Sequence, residues 1–187
     1  TASYTLTIVA YDASSSDVAD ITITITNVND APTVATAISD ASTAEDAVYS
    51  LDISSNFADA DTSDTLSYSA TGMPTTMTMT TAGVLSGTPV NADVAAHTVV
   101  VTATDGTASV TDTFVVTVTN TNDAPTLATA QADASTAEDA LYTLDVSGNF
   151  ADVDVGDSLS YTATGMPSTM TMSTAGVLSG TPVNADV

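Results

Sequence analysis

The sequence predicts an all-β protein: a tandem, extended array of seven-stranded Greek-key β-sandwich domains. Three observations carry this reading. First, the chain repeats itself. Asn29-Asp30-Ala31-Pro32 returns as Asn122-Asp123-Ala124-Pro125, and Thr71-Gly72-Met73-Pro74 returns as Thr164-Gly165-Met166-Pro167, both at an offset of 93. Aligning residues 27–94 with 120–187 at that offset needs no gap and leaves 53 of 68 positions identical. Second, apolar residues recur with period two, the spacing of a strand with one wet face. Third, turn signals separate these runs and no stretch sustains a helical period.

The elements follow in chain order. Residues 1–26 obey the repeat register, with Tyr4 mapping onto His97 and Asp12 onto Asp105, so they read as the C-terminal part of one repeat. Residues 27–119 form a complete repeat, and residues 120–187 the N-terminal part of the next. In the complete repeat a first strand falls near 33–38. Tyr49, Leu51 and Ile53 then alternate with Ser50 and Asp52 in a second. Further strands are predicted near 65–70, 76–80, 83–87 and 97–104, and a last one where Phe114, Val116 and Val118 alternate with Thr113, Thr117 and Thr119. Gly72-Met73-Pro74, Ala82-Gly83 and Asp105-Gly106 supply turns. The many threonines suit strand surfaces, where β-branching fits the pleat and the hydroxyl stays hydrated.

Charge removes several function classes. The chain carries 23 acidic side chains and no Lys or Arg, a formal charge of −23, so it cannot neutralise a phosphate backbone or an anionic lipid surface. Nucleic acid and membrane contact by this segment are excluded. A 43% apolar content and a mean hydropathy of +0.24 argue against a disordered acidic chain. Such a fold must screen its repulsion with salt or recruit cations to fixed places. Cysteine is absent, which removes disulfides and thiolate metal sites, and the lack of Lys removes Lys-Asn isopeptide cross-links. No window reaches the roughly 18–20 apolar residues of a membrane helix, and Thr1 opens directly into a strand pattern, so an export signal or anchor is expected to lie outside this segment.

The acids sit at fixed repeat positions. Every acid from Asp123 to Asp186 has a counterpart 93 residues earlier, and most fall in predicted loops. Glu45 and Glu138, the only two glutamates beside 21 aspartates, occupy the same repeat position. A longer carboxylate kept at one place suits bidentate ligation of a hard cation. Asp59-Ala60-Asp61 and Asp152-Val153-Asp154 each set two carboxylates two residues apart. With no Cys and a single His, an all-oxygen donor set favours Ca²⁺ over zinc or copper. Asp17 and Asp20 do not recur and are assigned to solvent. Asp40, Asp52 and Asp112 read as surface residues, and Asp64 and Asp157 stay open between ligand and loop cap.

The run Ala103-Thr104-Asp105-Gly106, its alternating strand, and then Asn120-Thr121-Asn122-Asp123-Ala124-Pro125 resembles the end of a cadherin-type repeat, where an A-x-D-G turn precedes a D-x-N-D-N-x-P linker. Asp59-Ala60-Asp61 before Leu66-Ser67-Tyr68 is similar to the cadherin D-x-D loop. Together with Thr71-Gly72-Met73-Pro74 and Gly83-Val84-Leu85-Ser86-Gly87-Thr88-Pro89, the whole chain most resembles the dystroglycan-type cadherin-like and immunoglobulin-like repeats of bacterial surface adhesins. The resemblance implies calcium between consecutive domains. At the second junction it implies ligands from Glu45 and the Asp93 loop, from Asn120, Asn122 and Asp123 of the linker, and from Asp152 and Asp154 of the following unit. At the first junction it implies Asn27, Asn29, Asp30, Asp59, Asp61 and Asp105; Glu138 repeats Glu45 one unit later. The linker departs from the family pattern at Asn27 and Asn120, which lack the usual negative charge, and at Ala31 and Ala124, which remove an oxygen.

The expected role is a non-enzymatic spacer or stalk segment of a long extracellular, secreted or surface-attached adhesin or fibre, stiffened by interdomain Ca²⁺. Its partners would be neighbouring repeats, other copies in a fibre through strand exchange, and surface or glycan ligands bound by other regions. The alternative is a carbohydrate-binding or accessory module of a secreted polysaccharide-acting protein, which would need an exposed aromatic cluster. His97, in place of Tyr4, reads as a packing residue, and no Gly-x-Ser-x-Gly occurs.

Overall fold

The computed structural model describes residues 1–186 and is all-β apart from four single-turn 3₁₀ segments. Strands β1 (Ala2–Tyr11) and β2 (Ser16–Ile25) form an isolated antiparallel hairpin. The complete repeat holds β3 (Thr33–Val34), β4 (Ala41–Ala44), β5 (Tyr49–Asp52), β6 (Phe57–Ala58), β7 (Ser67–Thr71), β8 (Met77–Met79), β9 (Val84–Gly87), β10 (Ala96–Thr104) and β11 (Ser109–Thr119). The last part holds β12 (Thr126–Leu127), β13 (Tyr142–Asp145), β14 (Phe150–Ala151), β15 (Met170–Met172) and β16 (Val177–Gly180).

In the complete repeat a four-stranded sheet of order β4-β11-β10-β7 faces a three-stranded sheet of order β5-β9-β8, with β3-β6 as a short ribbon at one end. The pairings are antiparallel except β11 with β4, which is parallel, a connection that no simple meander provides. Period two decides the core. Val99, Val101 and Ala103 of β10 and Phe114 and Val116 of β11 point inward against Leu85, Met77, Ile53, Phe57 and Tyr68. Phe57 and Tyr68 pack with tilted rings 5.7 Å apart, and the Tyr68 hydroxyl donates to the Ser54 carbonyl at 3.1 Å, so its polar end is satisfied. The repeat has nine strands where the alternation predicts seven. The additional two are β4, whose Ala-Ser-Thr-Ala has no large apolar residue to reveal a period, and β6, only two residues long.

The last part shows what the closing hairpin does. Residues 134–137 and 160–164 match β4 and β7 almost residue for residue, yet neither forms a strand. In the complete repeat both hang on the β10–β11 hairpin, and after residue 120 no such hairpin follows among the described residues. Propensity does not make an edge strand without a ladder partner. The sheet β13-β16-β15 and the Phe150–Tyr161 ring pair, 5.8 Å apart, form regardless, because their partners lie within the segment.

Gly72 marks the same closure. Its φ of +75° lies in the left-handed region, and a Cβ there would drive into the Thr98 carbonyl oxygen of β10. Its counterpart Gly165 has φ +74° and open space around it. Both Gly72→Ala and Gly165→Ala incur the left-handed cost of about 1–2 kcal/mol. Only Gly72→Ala adds a backbone collision, so amide hydrogen exchange should show protection of β10 and β7 falling by about 2 kcal/mol or more, with a smaller loss in β13, β15 and β16 for Gly165→Ala.

Candidate metal centre

The second seam gathers side chains from both units and the segment between them. Glu45 follows β4 directly. Its N–H donates to the Thr119 carbonyl at 3.0 Å, while Asp46, with φ +58°, turns the chain and donates to the Pro89 carbonyl at 2.8 Å. This places Glu45 beside the start of the linker, where its Oε1 accepts the Thr121 N–H at 2.8 Å. Glu45 is 2% exposed, and its Oε2 is buried without any hydrogen-bond partner. Across the seam Asp154 is 5% exposed. It accepts the Asp123 N–H at 2.7 Å and the Asn91 amide at 3.1 Å, and Asn91 also reaches Asp123 at 3.3 Å. Asp152, Asp154 and Asp157 bring carboxylate oxygens within 4.8 Å of one another.

The first seam repeats the pattern. Asp61 accepts the Asp30 N–H at 2.7 Å and the Asn27 amide at 2.7 Å, as Asp154 accepts from Asp123 and Asn120. The Asp61 N–H donates to Asp59 at 2.8 Å, as Asp154 donates to Asp152 at 3.0 Å. Asn29 donates to Asp105 at 3.0 Å, which ties the linker to the β10–β11 turn, where Asp105 also accepts the Thr107 and Ala108 N–H groups. Asp59 Oδ2 is buried and unpartnered. Asn122, like Asn29, folds its amide back onto the next carbonyl, at 2.8 Å.

The hydrogen bonds set the charge states. The Asp30 N–H and then the Asn27 amide hold Asp61 below the usual carboxylate range, and the Asp123 N–H, against partial burial, does the same for Asp154. Asp105 is lowered by the Ala108 N–H, the Asn29 amide and the Thr107 N–H. All three are anionic at neutral pH. Each seam therefore concentrates negative charge with no cationic side chain anywhere in the chain. An all-oxygen set with a buried orphan carboxylate oxygen at each seam fits a hard divalent cation.

Of the sequence-predicted positions, Glu138, Asn122 and Asp93 fall away from the converging carboxylates, while Asn120 stays at the seam. Glu138 is exposed at the far end of the last part, and no following linker lies beside it among the described residues. Asn120 and Asn122 are exposed linker residues, of which Asn120 contacts Asp154. Asp93 does not face the seam with a free carboxylate. Its Oδ1 accepts the Thr75 N–H and hydroxyl, both at 2.7 Å, and its Oδ2 accepts the Thr76 hydroxyl at 2.6 Å and the Val90 N–H at 3.3 Å. It is a strut within its own unit, and the loop reaches the seam through Asn91 instead. An uncharged amide two residues before an acid carried no signal as a ligand in the sequence. Asp157, open between ligand and cap on sequence, lies in the carboxylate cluster. Asp40 and Asp112 clamp backbone N–H groups of Val115 and Ile38, both at 2.7 Å, and His97 bonds the Asp93 carbonyl at 2.7 Å.

Burial alone would raise Asp93, but the Thr76 and Thr75 hydroxyls and the Thr75 and Val90 N–H groups outweigh it and hold its carboxyl well below the usual range. A depressed folded-state value means the stabilisation is complete above the unfolded value of about 3.9 and drains away as pH falls through the folded value. Asp93→Asn should cost about 2–3 kcal/mol at neutral pH, since the amide NH2 takes the place of one carboxylate oxygen and leaves two of the four donors facing a donor, and should flatten the acid limb of the stability curve. Urea unfolding followed from neutral pH to below pH 3 reads both effects.

The chain is similar in fold to several solved structures, and it spans only 30% of the length of the first of them. An endo-fucoidan hydrolase of glycoside hydrolase family 107 matches over 100% of this chain at 25% identity and a TM-score of 0.44. The human desmocollin-1 ectodomain matches over 92% of this chain and 34% of its own, at 16% identity and a TM-score of 0.44. No curated protein matches. Immunoglobulin-like domains are commonly extracellular and non-enzymatic, and no helix among the described residues is long and apolar enough to cross a membrane. The family model described as "Putative Ig domain" matches residues 31–119 and again 124–187, which covers most of the sequence and both repeats. The chain therefore belongs to that immunoglobulin-like β-sandwich family.

Proposed function

We propose that this chain is a spacer segment of a long extracellular adhesin or surface fibre, and that Ca²⁺ bound at its interdomain seams stiffens it. The observation that carries the reading is the buried, unpartnered Oε2 of Glu45, set beside a linker whose Asp123, together with Asn91 of the Asp93 loop, converges on Asp154 of the next unit. A buried carboxylate oxygen left unpaired is costly, and a cation removes that cost. Glu45, Asp123, Asp152, Asp154 and Asp157, with Asn120, would hold the ion at the second seam. Asp30, Asp59, Asp61 and Asp105, with Asn27 and Asn29, would act at the first. The ion would supply positive charge where carboxylates of two units and their linker otherwise repel.

Mechanically, the unscreened seam favours bending, because rotation about the linker separates like charges, whereas shared ligation favours one angle. Affinity on the order of 0.1–1 mM, that of extracellular calcium modules, suits a joint set by the medium. The carbohydrate-module alternative has less support. In the complete repeat Phe57, Tyr68 and Phe114 are buried and Tyr49 is half-buried, so that unit offers no aromatic platform.

Calcium titration of the 187-residue chain, at protein concentrations low enough to keep it monomeric, should raise the melting midpoint, by about 2.7 kcal/mol of stabilisation at a hundredfold excess over the dissociation constant. It should also lengthen and narrow the distribution of end-to-end distances in small-angle scattering. Glu45→Gln and Asp154→Asn should each weaken the response about tenfold or more, and magnesium should substitute poorly. A midpoint and scattering curve indifferent to millimolar calcium would remove the reading.

A further inference from the structure

The two seams carry near-copies of one six-residue loop. Asp59-Ala60-Asp61-Thr62-Ser63-Asp64 stands at the first and Asp152-Val153-Asp154-Val155-Gly156-Asp157 at the second, so all three acids are shared and Gly156 replaces Ser63. Each loop ends in a four-residue turn. The Asp64 N–H donates to the Asp61 carbonyl at 2.9 Å, and the Asp157 N–H to the Asp154 carbonyl at 3.3 Å. Gly156, third in its turn, has φ +103°, whereas Ser63 stays outside the left-handed region. A positive φ at that place defines the turn class that glycine favours, in which the central peptide is flipped relative to the commoner class.

The last carboxylate differs with the turn. Asp152, Asp154 and Asp157 bring one oxygen each within 4.8 Å of one another, and Asp59, Asp61 and Asp64 form no such group. Asp64 instead accepts the Ser63 hydroxyl at 3.3 Å, a bond that Gly156 cannot offer to Asp157. Three like charges held together in a chain without Lys or Arg repel one another unless a cation lies among them. The Oε2 of Glu45, buried and unpartnered at the same seam, is a separate sign of a cation there.

We propose, on the footing of the seam reading above, that Asp157, brought into the group by the Gly156 turn, sets the calcium affinity of the second seam, and that the 59–64 loop, with Ser63 in that place, meets its ion with two carboxylates. Affinity at calcium sites follows the number of charged ligands and the rigidity of the site. One turn residue thus decides whether a loop offers two charges or three, and hence the calcium concentration at which its joint stiffens. The third charge has a cost as well. In the absence of calcium it adds repulsion, so the same residue that tightens binding loosens the empty seam.

Calorimetric calcium titration of the 187-residue chain at fixed ionic strength, with melting in chelator and in calcium, tests this. Each variant is compared with its parent, and second-seam binding is the part that Glu45→Gln weakens. Asp157→Asn should weaken that part roughly tenfold and should hold or raise the midpoint in chelator. Asp64→Asn should leave calcium affinity unchanged. Gly156→Ser, whose Cβ meets open space, should reproduce most of the Asp157→Asn loss, and Ser63→Gly should tighten the first seam and make it sensitive to Asp64→Asn. If Asp157→Asn lowers the midpoint equally with and without calcium, or leaves the isotherm unchanged while Glu45→Gln still weakens it, Asp157 is a turn cap and the proposal falls with the seam reading intact. A Gly156→Ser chain that keeps the parent's affinity also overturns it. A parent chain whose isotherm and midpoint ignore calcium overturns both.

Discussion

Each sandwich depends on its closing hairpin. β10 and β11 contribute Val99, Val101, Ala103, Phe114 and Val116 to the core and are, among the described residues, the only ladder partners of β4 and β7. The chain holds its own control. Ala-Ser-Thr-Ala is a strand at 41–44 and not at 134–137, although the four residues are identical. Tertiary pairing, not local preference, decides the state of such a segment. The part that forms without the hairpin, β13-β16-β15 with the Phe150–Tyr161 pair, is the part whose partners all lie within residues 120–186.

The seams obey a second constraint, that of charge without countercharge. A chain with no Lys or Arg cannot pair its carboxylates, so it satisfies them with N–H and O–H donors instead. Asp93 takes four such bonds and becomes a structural strut, whereas Asp61 and Asp154 take the linker's backbone and amide donors and fix the path between units. The same residue type thus serves as strut or seam according to how many donors its loop supplies. At Glu45, as at Asp59, the supply runs short. One oxygen of Glu45 is occupied by Thr121 and the other has nothing, in a place water does not reach.

Most of the fold was legible because a period-two pattern with threonine on the wet face has few other readings. β4 and β6 were not legible. One has only small residues and the other two positions, so neither displays a period. The seam was legible as a set of fixed acidic positions, but the roles within it were not. Asp93 and Asp154 are both loop aspartates that recur, or are recurrences, at the same offset, and only the donors brought by Thr75, Thr76 and Val90 separate them. Asn91 was hidden because an amide among acids looks neutral until it is seen bridging Asp123 and Asp154.

The closing hairpin also connects one seam to the next. At its turn Asp105 accepts from Asn29 of the preceding linker, and at the end of β11 Thr119 accepts from Glu45, which in turn receives the following linker at Thr121. Between these contacts run the eleven residues of β11, paired with β10 over residues 109–117 and with β4 over residues 116–119. Tension along an array would therefore enter a unit at the hairpin turn and leave it at the hairpin's end. Within the unit it would load ladders along their length rather than peel them from one end. A side chain that alters a seam then bears on the strand that closes the sandwich, and a change that loosens the hairpin reaches both seams at once.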